Sequence, residues 1–361
     1  MLEPNPRPVF ERGSPAARRP RLVHRYVGTV GGQPATALLE WQNPDSLSGT
    51  FYLHRRGPAY CLTLPTSPSP TARRQGQVLE LVARLWEGGG WWQLHGRPGA
   101  TLRATWHDGP TGRPQAVVLR ENYAGAVRLA IQTEWVHGPS YHSAVPAVRY
   151  EFMHLPNPAS VPPALRPILS PGPAARRHRL LTGGDYDCVT RYDLTVQLNE
   201  AGLFSYQYWE ECSAIAGNSG GSYHNALLDL RGGRWLAPES QLVPGYEKTL
   251  ARLLTPHLLH DQAHWQINRA STWRQQLTPY LVGARPDTLA ATTHWLLNNV
   301  ELSAEEGLFT GAGLEIETPR NLYVEALPGT TFTLYFPYRE LRPLVRPGTP
   351  LARILKARGM W

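Results

Sequence analysis

Lysine is nearly missing from this chain. Lys248 and Lys356 are its only two, so almost all of its 36 basic residues are arginine. Such a bias reflects genome composition more than function. Cysteine is scarce too, with only Cys61, Cys188 and Cys212. None forms a Cys-x-x-Cys pair, which argues against a structural zinc site. No apolar run approaches the length of a membrane-spanning helix, so no transmembrane segment is expected. The N-terminal stretch MLEPNPRPVFERGSPAARRP holds no apolar signal-peptide core, which leaves the compartment open on sequence alone. No RNA- or DNA-reading motif accompanies the net charge of +8. That charge sits at the ends: residues 1–25 carry +4 and residues 339–358 carry +5, leaving the middle close to neutral. No specific nucleic-acid partner is therefore expected. Basic ends of this kind dock weakly on acidic polymers or aid solubility.

What the chain has in quantity is proline (34), glycine (33) and tryptophan (12), which favours short strands and turns over helical bundles. Its 361 residues allow two or three domains. Residues 1–22 read as a disordered Pro/Arg-rich arm. Residues 23–121 read as an all-β domain. Tyr26 to Val30 and Ala35 to Trp41 flank a Gly31-Gly32 turn, and short strands follow at regular spacing to Leu119. Residues 122–361 read as an α+β module. Helical spacing appears over 244–254, 258–281 and 289–297, and β-pattern returns between 300 and 337. Residues 155–177 contain seven prolines and read as an extended connector. The expected fold class is α+β: an N-terminal all-β barrel or sandwich, then an α+β module with an antiparallel sheet and helices.

The organising stretch is Leu203 to Leu236. Phe204, Tyr206 and Tyr208 alternate with Ser205, Gln207 and Trp209 as in a strand. A small-residue loop follows, Gly217-Asn218-Ser219-Gly220-Gly221-Ser222, leading through Tyr223 and His224 into a strand from Ala226 to Leu230. Upstream, Asn199-Glu200-Ala201-Gly202 reads as a hairpin turn. Counting back from it puts Cys188 and Cys212 within about one residue of cross-strand partnership, a candidate disulfide if the protein is exported. Two buried thiols are the alternative.

The glycine loop (Gly220, Gly221, Tyr223, His224), the turn (Asp229, Leu230, Gly233) and the tail Phe336-Pro337-Tyr338-Arg339-Glu340-Leu341 resemble the extracellular domain of RsiV-like proteins. The wall-modifying PdaC proteins share that domain. The resemblance covers about 122–355. Three further phrases resemble a small β-domain found ahead of wall-associated bacterial modules: Tyr26-x-Gly28-x-x-Gly31, Leu47-x-Gly49-x-Phe51-Tyr52 and Leu102-x-x-Thr105-Trp106. Ala104 stands where that pattern has glycine. The resemblance implies a noncatalytic binding protein of the bacterial envelope or periplasm. It implies no cofactor, and lysozyme or peptidoglycan as partner. Neither the sigma-binding segment of RsiV-like proteins nor the deacetylase domain of PdaC proteins is recognised in the sequence.

The expected ligand-binding residues are Asn218, Ser219, Ser222, Tyr223 and His224, with Tyr208 and Trp209 beside them, because Tyr and Trp supply contact area at low entropy cost. Gly217-Asn218-Ser219-Gly220-Gly221 looks like a serine-protease nucleophile loop, but Asn218 replaces the usual Asp and no histidine motif lies upstream. Glu210 and Glu211 point to opposite faces of a strand, so they do not form a glycosidase pair. His257, His260 and His264, at helical spacing, are weak metal candidates without a carboxylate partner, and no metal is expected. Two rival functions remain. One is a hydrolase using His224 with Ser219 or Ser222, which needs a carboxylate behind His224. The other is a structural protein docking its basic ends on acidic polymers.

Overall fold

The computed structural model describes residues 20–43, 46–63, 78–84, 90–95, 99–108, 112–137, 146–182, 188–214, 219–254, 265–267, 304, 307–317 and 332–361. The first eight strands form an antiparallel meander: β1 (Arg21–Val30), β2 (Gln33–Asn43), β3 (Ser46–Leu53), β4 (Arg56–Thr63), β5 (Val78–Arg84), β6 (Trp91–His95), β7 (Thr101–His107) and β8 (Gln115–Glu121). Gly31 and Gly32 both take positive φ (57° and 79°), as a two-residue hairpin turn with the twist of its strands requires. Alternate residues point inward to a core of Tyr26, Leu39, Phe51, Trp92, Trp106 and Leu119. Phe51 lies 4.7 Å from Trp92 and 5.1 Å, edge-on, from Trp106. Each such fully buried aromatic is worth about 1.5–3 kcal/mol of removed apolar surface.

β1 is the hinge of the whole architecture. Its C-terminal half pairs with β8, so the hydrogen bonds of the meander return to their start. Its N-terminal residues Arg21 to Val23 pair instead with β9 (Leu129–His137). From there the sheet runs on through β10 (Pro146–His154), β11 (Cys188–Glu200), β12 (Leu203–Ala214), β13 (Ser219–Asp229) and the short β14 (Arg234–Trp235), fourteen strands in one order. All pairs are antiparallel except β10 with β11, which makes the sheet mixed. This corrects the expected fold class. The protein is mostly β. It has neither a free-standing barrel or sandwich nor a distinct α+β module after it, because β1 belongs to both parts of one continuous sheet. The expected boundary at 121/122 falls between β8 and β9, both of which pair with β1.

Two layers cover the β9–β13 half. The first is the proline-rich stretch read as a connector. It folds into two short 3-10 turns and the helices α1 (Arg166–Leu169) and α2 (Pro173–Thr182). Pro158, Pro163 and Pro167 stand in the first turns of these elements, where a missing N–H costs nothing. Leu155, Val161, Leu165 and Leu169 are buried from this segment against Phe204, Tyr206 and Leu228. The second layer covers the opposite face near the β11–β12 turn. It contains a small sheet, β15 (Trp265–Ile267), β18 (Phe332–Pro337), β17 (Gly313–Glu317) and β16 (Leu308–Phe309), in that order. With it come the helices α3 (Tyr246–Leu254), α4 (Tyr338–Leu341) and α5 (Pro350–Ala357). Leu198, Leu203 and Leu227 of the large sheet pack there with Leu250, Phe336 and Ile354. β15 lies inside the stretch expected to be helical over 258–281. The expected helix at 289–297 and the strand at 300–302 fall outside the described residues.

A buried ion pair ties this second layer to the end of β11, where Tyr52 of the meander joins it. Arg358, just past α5, donates from Nε to Glu200 Oε1 at 3.0 Å and from Nη2 to Glu200 Oε2 at 2.7 Å. Its Nη1 donates to the Gly311 carbonyl at 2.8 Å. The Tyr52 hydroxyl of β3 donates to Glu200 Oε2 at 3.2 Å. The guanidinium beside Glu200 holds that carboxyl well below the usual carboxylate range, against the opposing cost of burial.

Candidate functional site

The β12–β13 hairpin separates the expected binding residues into two sets, because neighbouring residues on a strand face opposite ways. Registry pairs Tyr208 with His224, Trp209 with Tyr223, Glu210 with Ser222 and Glu211 with Gly221. Tyr208, Glu210, Ser222 and His224 therefore share the face that the proline-rich segment covers. Trp209, Glu211 and Tyr223 share the other, polar face.

On the helix-covered face, Tyr208 is a core residue, 8% exposed, and its hydroxyl donates to the Glu151 carbonyl at 3.0 Å. Burial and the neighbouring Tyr150 raise its phenol well above the ordinary value. Nearer the strand ends the environment turns polar. The Tyr192 hydroxyl donates to Glu210 Oε1 at 2.9 Å. Glu210 Oε2 lies 2.8 Å from His224 Nε2, and Ser222 Oγ lies 3.3 Å from the same nitrogen. The carboxylate that the hydrolase reading needs is thus present, though not where that reading needs it. A relay requires the acid on one imidazole nitrogen and the nucleophile on the other. Here both meet Nε2, and the His224 side chain is 58% exposed.

The polar face carries a tilted Trp209–Tyr223 ring pair, with centroids 4.4 Å apart. Gly221 makes room for it: a Cβ there would lie 2.1 Å from the Trp209 ring, so only glycine lets the indole lie across β13. Beside the pair, Gln207 Nε2 donates to Asn225 Oδ1 at 3.0 Å. A chain of alternating charge crosses the sheet next to these groups. Arg191 meets Asp193 at 2.5 Å, Arg149 bridges Asp193 and Glu151 at 2.9 Å each, and Arg21 meets Glu151 at 2.9 Å. The parallel β10–β11 pairing ends at Tyr150 and Tyr192, and Glu151 takes over there, its Oε2 accepting the Leu194 N–H at 3.0 Å. At the far end of the chain, Arg21 Nε is 3.5 Å from Glu40 Oε2. Burial, only partly offset by Arg21 and aggravated by Glu151, pushes the Glu40 carboxyl up to about 7.

The structure places the other expected residues as follows. Ser219 opens β13 opposite Ser213, so the glycine-rich stretch from 219 onward is strand rather than loop. Asn218 and the side chain of Ser219 lie outside the described residues, as do His257, His260 and His264. Among the described residues, no group of three His, Cys, Asp or Glu side chains could hold a metal ion. No described helix is long and apolar enough to cross a membrane. Cys212 is disulfide-bonded. Of the other two cysteines only Cys188 lies on a strand beside β12, with Cys188 opposite Ala214 and Cys212 opposite Thr190. The side chain of Cys188 is outside the described residues. Sequence reasoning missed Glu210 as the partner of His224. With Tyr208 paired to His224, Glu210 falls on the same-face diagonal, a contact recoverable once the hairpin register is counted correctly.

No protein-family model matches the chain, and no curated protein does. Solved structures similar to it include two of the DUF3298 family. One is a DUF3298 family protein from Pseudomonas aeruginosa, 16% identical, covering 61% of this chain and 96% of its own, with a TM-score of 0.35. The other is a member of the DUF3298 family from Bacteroides fragilis, 12% identical, covering 63% of this chain and 98% of its own, with a TM-score of 0.37. Neither is named for the RsiV or PdaC proteins.

Proposed function

We propose that this protein is a noncatalytic binding module of the bacterial envelope, recognising a cell-wall-related protein or glycan through the polar face of β11–β13. The Trp209–Tyr223 pair carries the reading. Two large rings lie half-buried on a sheet face, over a glycine that makes room for the indole, flanked by the amides of Gln207 and Asn225 and the charges of Arg191 and Glu211. An aromatic platform rimmed by amides and ions suits a sugar ring or a protein side-chain patch, with rings giving area and rim groups giving orientation. The disulfide at Cys212 supports an oxidising compartment, as an envelope location supplies. The resemblance to RsiV-like and PdaC proteins supports the wall-related ligand, with lysozyme the first protein to try. Sharing of His224 Nε2 by Glu210 and Ser222 supports binding over serine-based hydrolysis.

The test is a pull-down of the full chain with purified peptidoglycan and with lysozyme, at low and moderate salt, beside Trp209→Ala and Tyr223→Ala. Salt-resistant capture of either ligand, lost in both variants while their melting temperatures hold, is the expected result. Capture of neither ligand, or capture unchanged in the variants, would overturn the assignment.

A further inference from the structure

We infer, resting on the polar-face assignment above, that the ligand there is a glycan chain bearing a carboxylate, and that Trp135 of β9 is a second stacking subsite for it. Cross-strand partners share a face, so register lays out one row across five strands. It runs from Trp135 of β9 through Arg149 of β10, Arg191 of β11 and Glu211 of β12 to Gly221 of β13. The Trp209 indole leaves its own row to close this one. A Cβ on Gly221 would collide with its Cη2 and Cζ2, so the ring lies over the glycine. The row therefore has an indole at each end. Four strand spacings separate the ends, about 19 Å, or roughly four linked pyranose rings laid end to end.

The row is open to solvent. Arg191 and Gly221 are exposed, and Trp135, Arg149 and Glu211 are half-buried. Its centre is cationic. Arg149 and Arg191 are direct neighbours on the parallel β10–β11 pair and share the Asp193 carboxylate, at 2.9 Å and 2.5 Å. Arg191 meets Asp193 through its Nε, and its side chain stays 48% exposed. The outer edge of that guanidinium fits a carboxylate on the ligand, in the two-pronged geometry that arginine offers. Glu211, next to Arg191, is placed to accept hydroxyl or amide hydrogen bonds. Rings at both ends with polar groups between match a chain whose apolar sugar faces recur along its length. Across four spacings the sheet twists by roughly 80–100°, a path that a flexible chain follows and a flat protein surface does not.

Isothermal titration calorimetry on the full chain tests this with chitobiose, chitotetraose and the tetrasaccharide of alternating N-acetylglucosamine and N-acetylmuramic acid. We expect chitotetraose to bind about tenfold more tightly than chitobiose, and the carboxylate-bearing tetrasaccharide about tenfold more tightly again. Trp135→Leu keeps an apolar side chain and removes the ring. It should erase the advantage of length while leaving chitobiose binding and the melting temperature unchanged, and Trp135→Tyr, which keeps a ring, should retain the advantage. Arg191→Gln should erase the advantage of the carboxylate alone. Binding that survives Trp209→Ala would overturn the polar-face assignment and this inference with it. Binding lost in Trp209→Ala, but equal for chitobiose and chitotetraose or undiminished for the longer chain in Trp135→Leu, would leave that assignment standing and overturn the second subsite. Equal binding of the two tetrasaccharides would overturn the carboxylate, and capture of lysozyme with no binding of any glycan would overturn the glycan chain.

Discussion

Replacing Arg358 by methionine should be among the most damaging single changes in this protein. The side chain is 1% exposed and makes three hydrogen bonds, two to Glu200 and one to the Gly311 carbonyl. Its guanidinium also lies 5.1 Å from the Tyr52 ring centre and 5.3 Å from that of Tyr338. Methionine fills much of the volume but leaves the Glu200 carboxylate buried with, among the described residues, the Tyr52 hydroxyl as its one remaining side-chain hydrogen-bond donor. Breaking a buried pair from one side costs about 3–5 kcal/mol, against a total stability on the order of 5–15 kcal/mol. Urea denaturation followed by circular dichroism should show that loss as a shift in midpoint with little change in slope. Adding Glu200→Gln removes the stranded charge and keeps an acceptor for Tyr52, so the double variant should recover at least half of the loss. Acid gives a second check with a definite sign. In the native protein the Glu200 carboxyl is depressed, so its contribution is full above an ordinary glutamate value and fades as the pH falls below it. In Arg358→Met the same carboxyl is buried without its cation and raised, so protonation relieves the strain and the gap to the native protein narrows on acidification. A loss below about 1 kcal/mol, or a double variant no better than the single one, would refute the argument.

Three further outcomes follow from single positions. Asn199 is buried and bridges both backbone groups of Val127, accepting its N–H at 2.9 Å and donating to its carbonyl at 2.7 Å. Asn199→Ala strands both groups and should cost about 2–4 kcal/mol by urea denaturation, whereas a loss under 1 would mean water replaces the amide. Burial, with Arg358 adding to it, pushes the His54 imidazole down to about 4, so above an ordinary histidine value both folded and unfolded states are neutral there. As the pH falls from about 6.5 toward 4 only the unfolded chain takes the proton, and stability should drop by up to about 3 kcal/mol, less with solvent screening. His54→Gln should flatten that part of the thermal-melt profile, and an unchanged slope would place the titration elsewhere. Gly221→Ala should cost about 1–3 kcal/mol and alter the near-ultraviolet circular dichroism of Trp209, because the added carbon collides with its ring. An unchanged spectrum would show that the ring has room to move.

Local features of the fold were legible in the sequence, and long-range ones were not, for a physical reason. Gly31-Gly32 and Ala201-Gly202 announced their turns because positive φ is written in residue type, and Ala201 tolerates it at 52° beside a glycine. The alternation of Phe204, Tyr206 and Tyr208 identified a strand, and the structure makes these three its buried face. What alternation alone could not say was which face would be read by a ligand, so Tyr208 was grouped with Trp209 although the two point apart. Proline misled in two ways. Its density suggested an extended connector, but a proline in the first turn of a helix is compatible with helix, and Leu155, Leu165 and Leu169 had a sheet face to fill. Glycine misled similarly at Gly221, where the missing Cβ serves the Trp209 ring on a strand rather than a loop.

The largest gap concerned charge, and it bears on the reading of the basic ends. Counting residues put +4 in 1–25 and +5 in 339–358, as though both ends were free to meet an acidic polymer. The structure commits four of those arginines internally. Arg358 is paired with Glu200, 158 positions away in sequence, and Arg353 with Asp229, 124 away. Arg21 serves Glu151, 130 away, while Arg25 is buried and donates to the Asn122 carbonyl. None of these partners is near in sequence, so no local rule could have matched them. Their consequence is thermodynamic. An arginine already bonded to a buried carboxylate would have to break that bond before meeting a polymer, at a cost far above the roughly 1 kcal/mol that an exposed pair returns. The charge that makes the sequence look like a polyanion binder is, at these four positions, what closes its ends onto the sheet.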